Sequence, residues 1–152
     1  MLATATAIFI TLIVISAHRQ KPKTPQTRAD AKEYFEFTEA SALVDKERSI
    51  KGGIILIKML YFNMTPVGGN ATNIWVQPLG GNVPQGDWPY KDFLAKNETW
   101  EVSIMFRQPV DSEPILDGPY KGYYPIEVDI DCDEAKGIVT LYINPDKIVW
   151  PP

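Results

Sequence analysis

An acidic alternation near the C-terminal end of the chain is the pattern that most directly suggests ion or partner binding. Between residues 125 and 133, four carboxylates occupy alternate positions: Glu127, Asp129, Asp131 and Asp133. On a strand these side chains would share one face at spacings of about 7 Å. Such a row could hold a hard cation such as Ca²⁺ or dock a basic partner. We favour the alternative, a solvated face whose repulsion protects the sheet against aggregation.

Three Asn-x-Thr sequons, which begin at Asn63, Asn70 and Asn97, suggest N-glycosylation. An acceptor asparagine must lie in an exposed loop on the far side of a membrane, and two of the three fall in predicted turns. Asn63 is the poorest candidate, because Pro66 follows its sequon directly. Coincidence is the competing explanation, since turns favour asparagine and strands favour threonine.

Aromatic side chains cluster in two loops that are rich in proline and glycine. The first loop holds Trp88 and Tyr90, and the second holds Tyr120, Tyr123 and Tyr124. Exposed tryptophan and tyrosine could stack on sugars or anchor a protein interface, where such residues are enriched. The alternative is that these rings fold back over the ends of the domain.

The chain contains few of the residue types that common catalytic and metal sites require. His18 is the single histidine and Cys132 the single cysteine, so a Ser-His-Asp triad, a Cys-His dyad or a histidine-based zinc site would all require His18. That residue adjoins an apolar segment. Cys132 falls on the inward side of a predicted strand and is interpreted as a core residue. We therefore predict a protein that is not an enzyme and needs no cofactor or metal.

The N-terminal segment has the composition of a membrane boundary. Residues 1–17 carry no charged side chain, and His18, Arg19, Lys21 and Lys23 follow at once. Residues 1–18 are predicted to form an anchor helix that contacts lipid, although the 16 residues from Leu2 to Ala17 span only about 24 Å of a core of roughly 30 Å. A signal peptide cleaved after Ala17 and a buried core helix are the alternatives.

The distribution of charge bears on orientation and partners. Residues 1–28 hold four basic side chains and no acidic one, whereas residues 29–152 hold 11 basic and 19 acidic side chains, a net charge of −8. An acidic domain excludes nucleic acid as a partner. The basic cluster would favour a cytoplasmic position, but the sequons indicate the opposite. We follow the sequons and place the domain on the extracytoplasmic side.

Beyond a polar linker at residues 19–49, the chain shows the patterns of β-structure. Residues 29–48 within this linker are ambiguous, and a short helix or mixed connection is expected. A Gly-Gly-Asn sequence recurs at residues 68–70 and 80–82, which predicts turns at either end of one strand. Gly137 is expected to close a hairpin.

The predicted strands cover residues 54–62, 72–79, 99–108, 125–133, 138–143 and 147–150. The near-continuous apolar run at residues 54–62 is typical of a strand buried on both faces. In residues 99–108 and 125–133, apolar and polar side chains alternate, which predicts that one face of each strand is buried.

These patterns predict a mainly β protein with one N-terminal transmembrane helix, followed by an antiparallel, immunoglobulin-like β-sandwich over residues 50–152. The expected function is that of a single-pass, non-catalytic accessory or structural subunit of a membrane or cell-surface complex, which binds other subunits through its β-domain. Two alternatives are a pilin-like subunit of an extracellular filament and a surface module that binds glycans or Ca²⁺.

Overall fold

The computed structural model describes residues 27–152. The predicted anchor helix, at residues 1–18, and the first part of the predicted linker lie outside these residues. These residues are mainly β, with 55% of them in strands, arranged in two sheets, and 8% in helices. The prediction of a mainly β protein is therefore confirmed.

Nine strands and one short α-helix form the described part of the chain, and two single 3-10 turns lie at Gln85–Asp87 and Pro145–Lys147. The helix, α1, spans Ala31–Tyr34. The strands are β1 (Ala29–Asp30), β2 (Phe35–Val44), β3 (Ile55–Pro66), β4 (Ala71–Pro78), β5 (Tyr90–Leu94), β6 (Trp100–Ser112), β7 (Tyr124–Asp131), β8 (Ala135–Ile143) and β9 (Ile148–Val149).

The two sheets enclose one apolar core. The five-stranded sheet has the order β1-β8-β7-β4-β5, and the four-stranded sheet has the order β6-β3-β2-β9. The long strands pair antiparallel, whereas the two-residue strands β1 and β9 pair parallel with β8 and β2. Buried side chains from both sheets form a single cluster, as expected for a sandwich-like arrangement.

Alternation along β6 and β7 agrees with the expectation from the sequence. In β6, Val102, Ile104 and Phe106 are buried while their neighbours are exposed, and Ile126, Val128 and Ile130 are buried in β7. Each strand covers the core with one face only, which produces a period of two in the sequence.

The expectation that residues 54–62 are buried on both faces is wrong. In β3, Ile55 and Ile57 enter the core, and after a register shift between Ile57 and Met59 the buried positions resume at Leu60. Lys58 is the extra residue relative to β2, which pairs Leu43 with Met59 and Val44 with Ile57. Such a bulge moves the following side chains to the opposite phase. A near-continuous apolar run therefore encodes one buried face interrupted by a bulge.

The prediction for residues 29–48 is also wrong, because most of this segment is strand and not a helix or connection. Only α1 is helical, and the carboxylate of Asp30 caps it by accepting a hydrogen bond of 3.1 Å from the backbone N of Lys32. From Phe35 onward the chain pairs with β3 as β2. Pairing beside a buried strand outweighs the helix propensity of alanine, glutamate and lysine.

The repeated glycines form turns at both ends of β4, as predicted. Residues 67–70 connect β3 to β4, and residues 79–82 follow β4. Gly81 has a φ of +70°, and a Cβ atom there would collide with the ring of Phe106. The hairpin between β7 and β8 is confirmed, but it turns at residues 132–134, and Gly137 lies within β8 opposite Ile130.

Helices in the described range are short. Among residues 27–152, none has both the length and the hydropathy that crossing a bilayer requires.

We expect Gly81→Ala to lower the free energy of unfolding by about 2–4 kcal/mol, because it combines a positive φ with overpacking against Phe106. Gly86→Ala is the matched control, since no atom lies within 4 Å of its added Cβ. Its effect should stay within about 0.5 kcal/mol. Chemical denaturation followed by tryptophan fluorescence measures both values, and equal effects would contradict the role assigned to Gly81.

Candidate functional site

The three sequons meet at one end of the two sheets. The backbone N of Lys96 donates to the side-chain Oδ1 of Asn70 at 2.9 Å, and the backbone N of Asn97 donates to the carbonyl O of Pro66 at 2.8 Å. The hydroxyl oxygens of Thr65 and Thr99, from the first and third sequons, lie 2.8 Å apart. The β3–β4 turn and the β5–β6 turn are thus bonded to each other through sequon residues.

The three asparagines differ in accessibility. Asn70 and Asn97 are exposed in turns, and Asn97 has a φ of 67°. Asn63 is half-buried inside β3, and its Nδ2 donates to Oε2 of Glu39 at 3.1 Å. This difference agrees with the lower rank that the sequence assigns to Asn63.

The acidic face of β7 is divided between separate partners. Asp131 forms ion pairs with Nη1 of Arg28 at 2.6 Å and Nζ of Lys136 at 3.2 Å. Asp133 accepts hydrogen bonds from Thr72 Oγ1 at 3.0 Å and from Asn73 Nδ2 at 2.8 Å. Glu127 is exposed and Asp129 is half-buried. Within residues 27–152, no three or more histidine, cysteine, aspartate or glutamate side chains group as metal ligands.

The ion pairs of Asp131 outweigh its partial desolvation. Burial alone would raise the pKa of this carboxyl group, but hydrogen bonds and charges from Arg28 and Lys136 hold the pKa below its ordinary value. All three side chains are more than a third exposed, so water screens the pairs and their contribution to stability is small.

The aromatic residues of the first loop pack locally. Trp88 is half-buried, and its Nε1 donates to the carbonyl O of Val83 at 3.0 Å. Tyr90 lies on β5, 4.4 Å from the ring of Trp75, and its hydroxyl donates to Asn73 Oδ1 at 3.0 Å. Tyr90 is exposed, whereas Trp75 beneath it is half-buried.

The second aromatic loop requires one correction. Tyr124 is not an exposed interface residue, because it begins β7 with its side chain in the core and is only 3% exposed. Tyr120 stacks on Tyr142 of β8 at 3.9 Å and meets Tyr123 edge-to-face at 5.6 Å. Because β5 and β8 lie near opposite edges of the five-stranded sheet, the two aromatic clusters do not form one surface.

Cys132 is a core residue. Its side chain is 2% exposed, its Sγ accepts a hydrogen bond of 3.2 Å from the backbone N of Ala135, and burial raises the pKa of its thiol. A buried, protonated thiol is a poor nucleophile.

A row of apolar side chains, which the sequence does not single out, crosses the outer face of the four-stranded sheet. Val149 lies beside Leu43, Leu43 opposite Met59, and Met59 opposite Met105, so the row contacts all four strands. Met105 is 67% exposed and Val149 57% exposed, and Leu43 and Met59 between them are half-buried. We call these four residues the apolar row. From the sequence alone, the apolar row is visible only in Met105, which falls on the outward side of the alternation in β6.

A groove opens between the two sheets on the side of β2 and β8. Residues 35–40 and 139–142 form its walls, Lys32 and Tyr120 complete the lining, and its volume is about 410 Å³. We call it the β2–β8 groove. Its floor is apolar, since Phe35, Val139 and Leu141 are buried core residues. Sequence reasoning missed the groove, because its walls are about a hundred residues apart in the chain.

Both walls of the groove are strand edges. Among residues 27–152, β1 pairs with β8 only at Ala135 and Lys136, and β9 pairs with β2 only at Ala42 and Leu43. The remaining backbone on these two edges faces the groove without a neighbouring strand.

The chain matches no protein-family model, no curated protein and no solved structure.

We expect Asp131→Asn to lower the free energy of unfolding at neutral pH by about 0.5–1 kcal/mol, because exposed ion pairs contribute in this range. A lowered folded-state pKa gives stability that is complete above the unfolded-state pKa and disappears as the pH falls through the folded-state pKa. The difference between the two proteins should therefore vanish in strong acid. Asp129→Asn, on the same face, is the control, and a difference independent of pH would contradict the assignment.

The sequons should be used unequally in a host that performs N-glycosylation. When the chain is secreted from such cells, Asn97→Gln and Asn70→Gln should each remove the mass of one glycan, and Asn63→Gln should remove none, because Asn63 lies in a paired strand. Intact-mass spectrometry before and after glycan release gives the readout. Asn82→Gln, an exposed turn asparagine outside any sequon, is the control, and a glycan on Asn63 would contradict this ranking.

Proposed function

We propose that this chain is a non-catalytic accessory or structural subunit of a membrane or cell-surface assembly, and that it acts through protein–protein contacts of its β-domain. The observation that carries the proposal is the apolar row. Sheet faces that meet water are normally polar, and contiguous exposed apolar patches are typical of interfaces. The flexible side chains of Met59 and Met105 are suited to packing against another protein.

The proposal includes an immunoglobulin-like sandwich. In such folds one sheet combines the first, second and fifth main strands, and the other combines the third, sixth and seventh. The order β2-β3-β6 in one sheet and β8-β7-β4 in the other supports this assignment. β5 pairs with β4, the place that an additional strand takes in variable-type domains.

The proposal also assigns residues 1–18 to a membrane anchor and the sandwich to the extracytoplasmic side, where Asn70 and Asn97 would be accessible to glycosylation. The support is the uncharged composition of residues 1–17 and the basic cluster that follows. In this proposal, the other subunits of the assembly bind the chain by covering the apolar row.

A filament subunit of the pilin type is the second candidate, and the β2–β8 groove favours it. An open groove between unpaired strand edges is a place where a neighbouring subunit can add a strand. The Ca²⁺-binding alternative has less support, because Asp131 and Asp133 bind partners within the chain.

The test is the oligomeric state of the full chain in mild detergent, measured by size-exclusion chromatography with light scattering. We expect the wild-type chain to form an assembly and Met105→Glu to dissociate it, because a charge buried in an apolar interface is costly. Since Met105 is exposed in the isolated chain, the thermal unfolding temperature of the Met105→Glu variant should differ little from that of the wild type.

Leu116→Glu is the matched control, because Leu116 is also exposed and apolar but lies in a loop away from the apolar row. It should leave the assembly intact. A wild-type chain that stays monomeric at every concentration, or a Met105→Glu variant that assembles normally, would overturn the proposal.

A further inference from the structure

Among the described residues, β6 is the only long strand at the edge of a sheet. It spans Trp100–Ser112 and ends the four-stranded sheet, where it pairs with β3 alone. The strands at the other sheet edges are β1 and β9, with two residues each, and β5, with five. A long edge presents free N–H and C=O groups that pair with a further strand unless the edge is protected.

Residues 100–107 of β6 lack the features that protect such an edge. They contain no proline, glycine or lysine, and Trp100 to Met105 pair with β3 without a bulge. The free edge ends at Gln108, whose backbone N donates to the carbonyl O of Gly81 at 3.0 Å. The available edge is therefore regular and about 26 Å long at the rise of a strand.

Opposite charges lie at the two ends of this edge. The outward side chains are Glu101, Ser103, Met105 and Arg107, and all four are exposed. Glu101 has no ion-pair partner among residues 27–152, and Arg107 pairs with Asp87 at 3.2 Å. Both members of that pair are more than half exposed, so the pair is weak and its arginine is available to another carboxylate.

Antiparallel pairing of two β6 edges brings these charges together. Residues opposite each other in a sheet face the same side, so a two-fold axis must pass through a residue and not between two. An axis at Ile104 places Glu101 of each copy opposite Arg107 of the other. Axes one residue to either side place Glu101 opposite Met105 or Pro109. Because opposite charges on facing residues stabilise a strand pair, the register centred on Ile104 is favoured.

This register also fits the length of the available edge. It pairs residues 101–107 of both copies, and all of these precede the end of the free edge at Gln108. The same strand supplies the acidic and the basic member of each pair, so the edge is complementary to itself, as a two-fold interface requires. A second copy is therefore the occupant that the charges of this edge select.

We propose that two copies of this chain form a symmetric dimer by antiparallel pairing of their β6 edges, with Ile104 at the two-fold axis. The two four-stranded sheets then form one continuous sheet. Because the axis is perpendicular to this sheet, both apolar rows lie on the same side of it. The inference rests on the proposed function, since it names a second copy as one of the subunits and leaves both apolar rows for further contacts.

The test uses differently tagged full-length copies in mild detergent. All copies carry Val149→Glu, which puts a charge into the apolar row on β9, three strands away from the β6 edge. Contacts of the apolar row then do not mask the dimer. We expect this parent variant to form dimers, measured by size-exclusion chromatography with light scattering.

Glu101→Arg in one copy and Arg107→Glu in the other are the deciding variants. Each variant alone places like charges opposite each other at both pairs of its dimer, so its dimer dissociation constant should rise roughly tenfold. When the two variants are mixed, both pairs become opposite again. The mixture should therefore give dimers that carry both tags.

Glu36→Arg is the matched control for Glu101→Arg, because Glu36 is an exposed glutamate of β2, away from the β6 edge. A mixture of Glu36→Arg and Arg107→Glu copies has the same net charges but restores no pair, so dimers with both tags should not be enriched. Asp87→Asn removes the ion pair of Arg107 within the chain and should leave the dimer intact. Equal enrichment with Glu36→Arg, or charge variants that dimerise like the parent, would overturn the inference.

The parent variant also separates this inference from the proposed function. If Val149→Glu is monomeric while the wild-type chain assembles, the inference alone is overturned. If Val149→Glu forms dimers and the wild-type chain forms nothing larger, the role of the apolar row in the proposed function is overturned, and the inference stands. Monomers of both would overturn both.

Discussion

Burial of apolar side chains between two sheets is the interaction on which the whole structure depends. The chain has one cysteine, which is free, so no disulfide within the chain can substitute for a core. Among residues 27–152, the twelve largest fully buried side chains are mostly isoleucine, valine or leucine. Each contributes roughly 1.5–3 kcal/mol relative to exposure. The turns, bulges and surfaces that could serve a function are tolerated because this layer holds the two sheets together.

The sequence predicts those elements in which burial of one face leaves a regular mark. The alternation of β6 and β7 and the two Gly-Gly-Asn turns around β4 could be derived in this way. The strand β2 could not, because its side chains favour a helix when considered alone and the deciding term is pairing with β3. The bulge at Lys58 likewise depends on both neighbours of β3. Of the predicted site residues, the turn asparagines were the easiest to place, whereas Tyr124 was misassigned because a loop motif and the start of a strand look alike.

The surfaces of the domain differ in how many of their groups already have partners within the chain. Asp131 and Asp133 have partners within the chain, so their charge is largely neutralised or hydrogen-bonded. Among the described residues, Met105 and Val149 of the apolar row stay exposed. The strand edges along the β2–β8 groove have no neighbouring strand there. Neither depends on an unusual residue type: one arises from strand register, and the other from two strand edges brought together by the fold. For this reason, a protein without catalytic motifs can still present specific places for other proteins to bind.

The two shortest strands have a mechanical consequence. β1 and β9 attach the first and last parts of the described chain to different sheets, and each does so through only two paired residues. Tension applied between the two ends would load these short pairs before the long antiparallel ladders. Their release would lengthen each connection by about 3.3–3.6 Å per freed residue while the layer between the sheets stays closed. The two-residue pairings of β1 and β9 are thus the first attachments that such a load would separate.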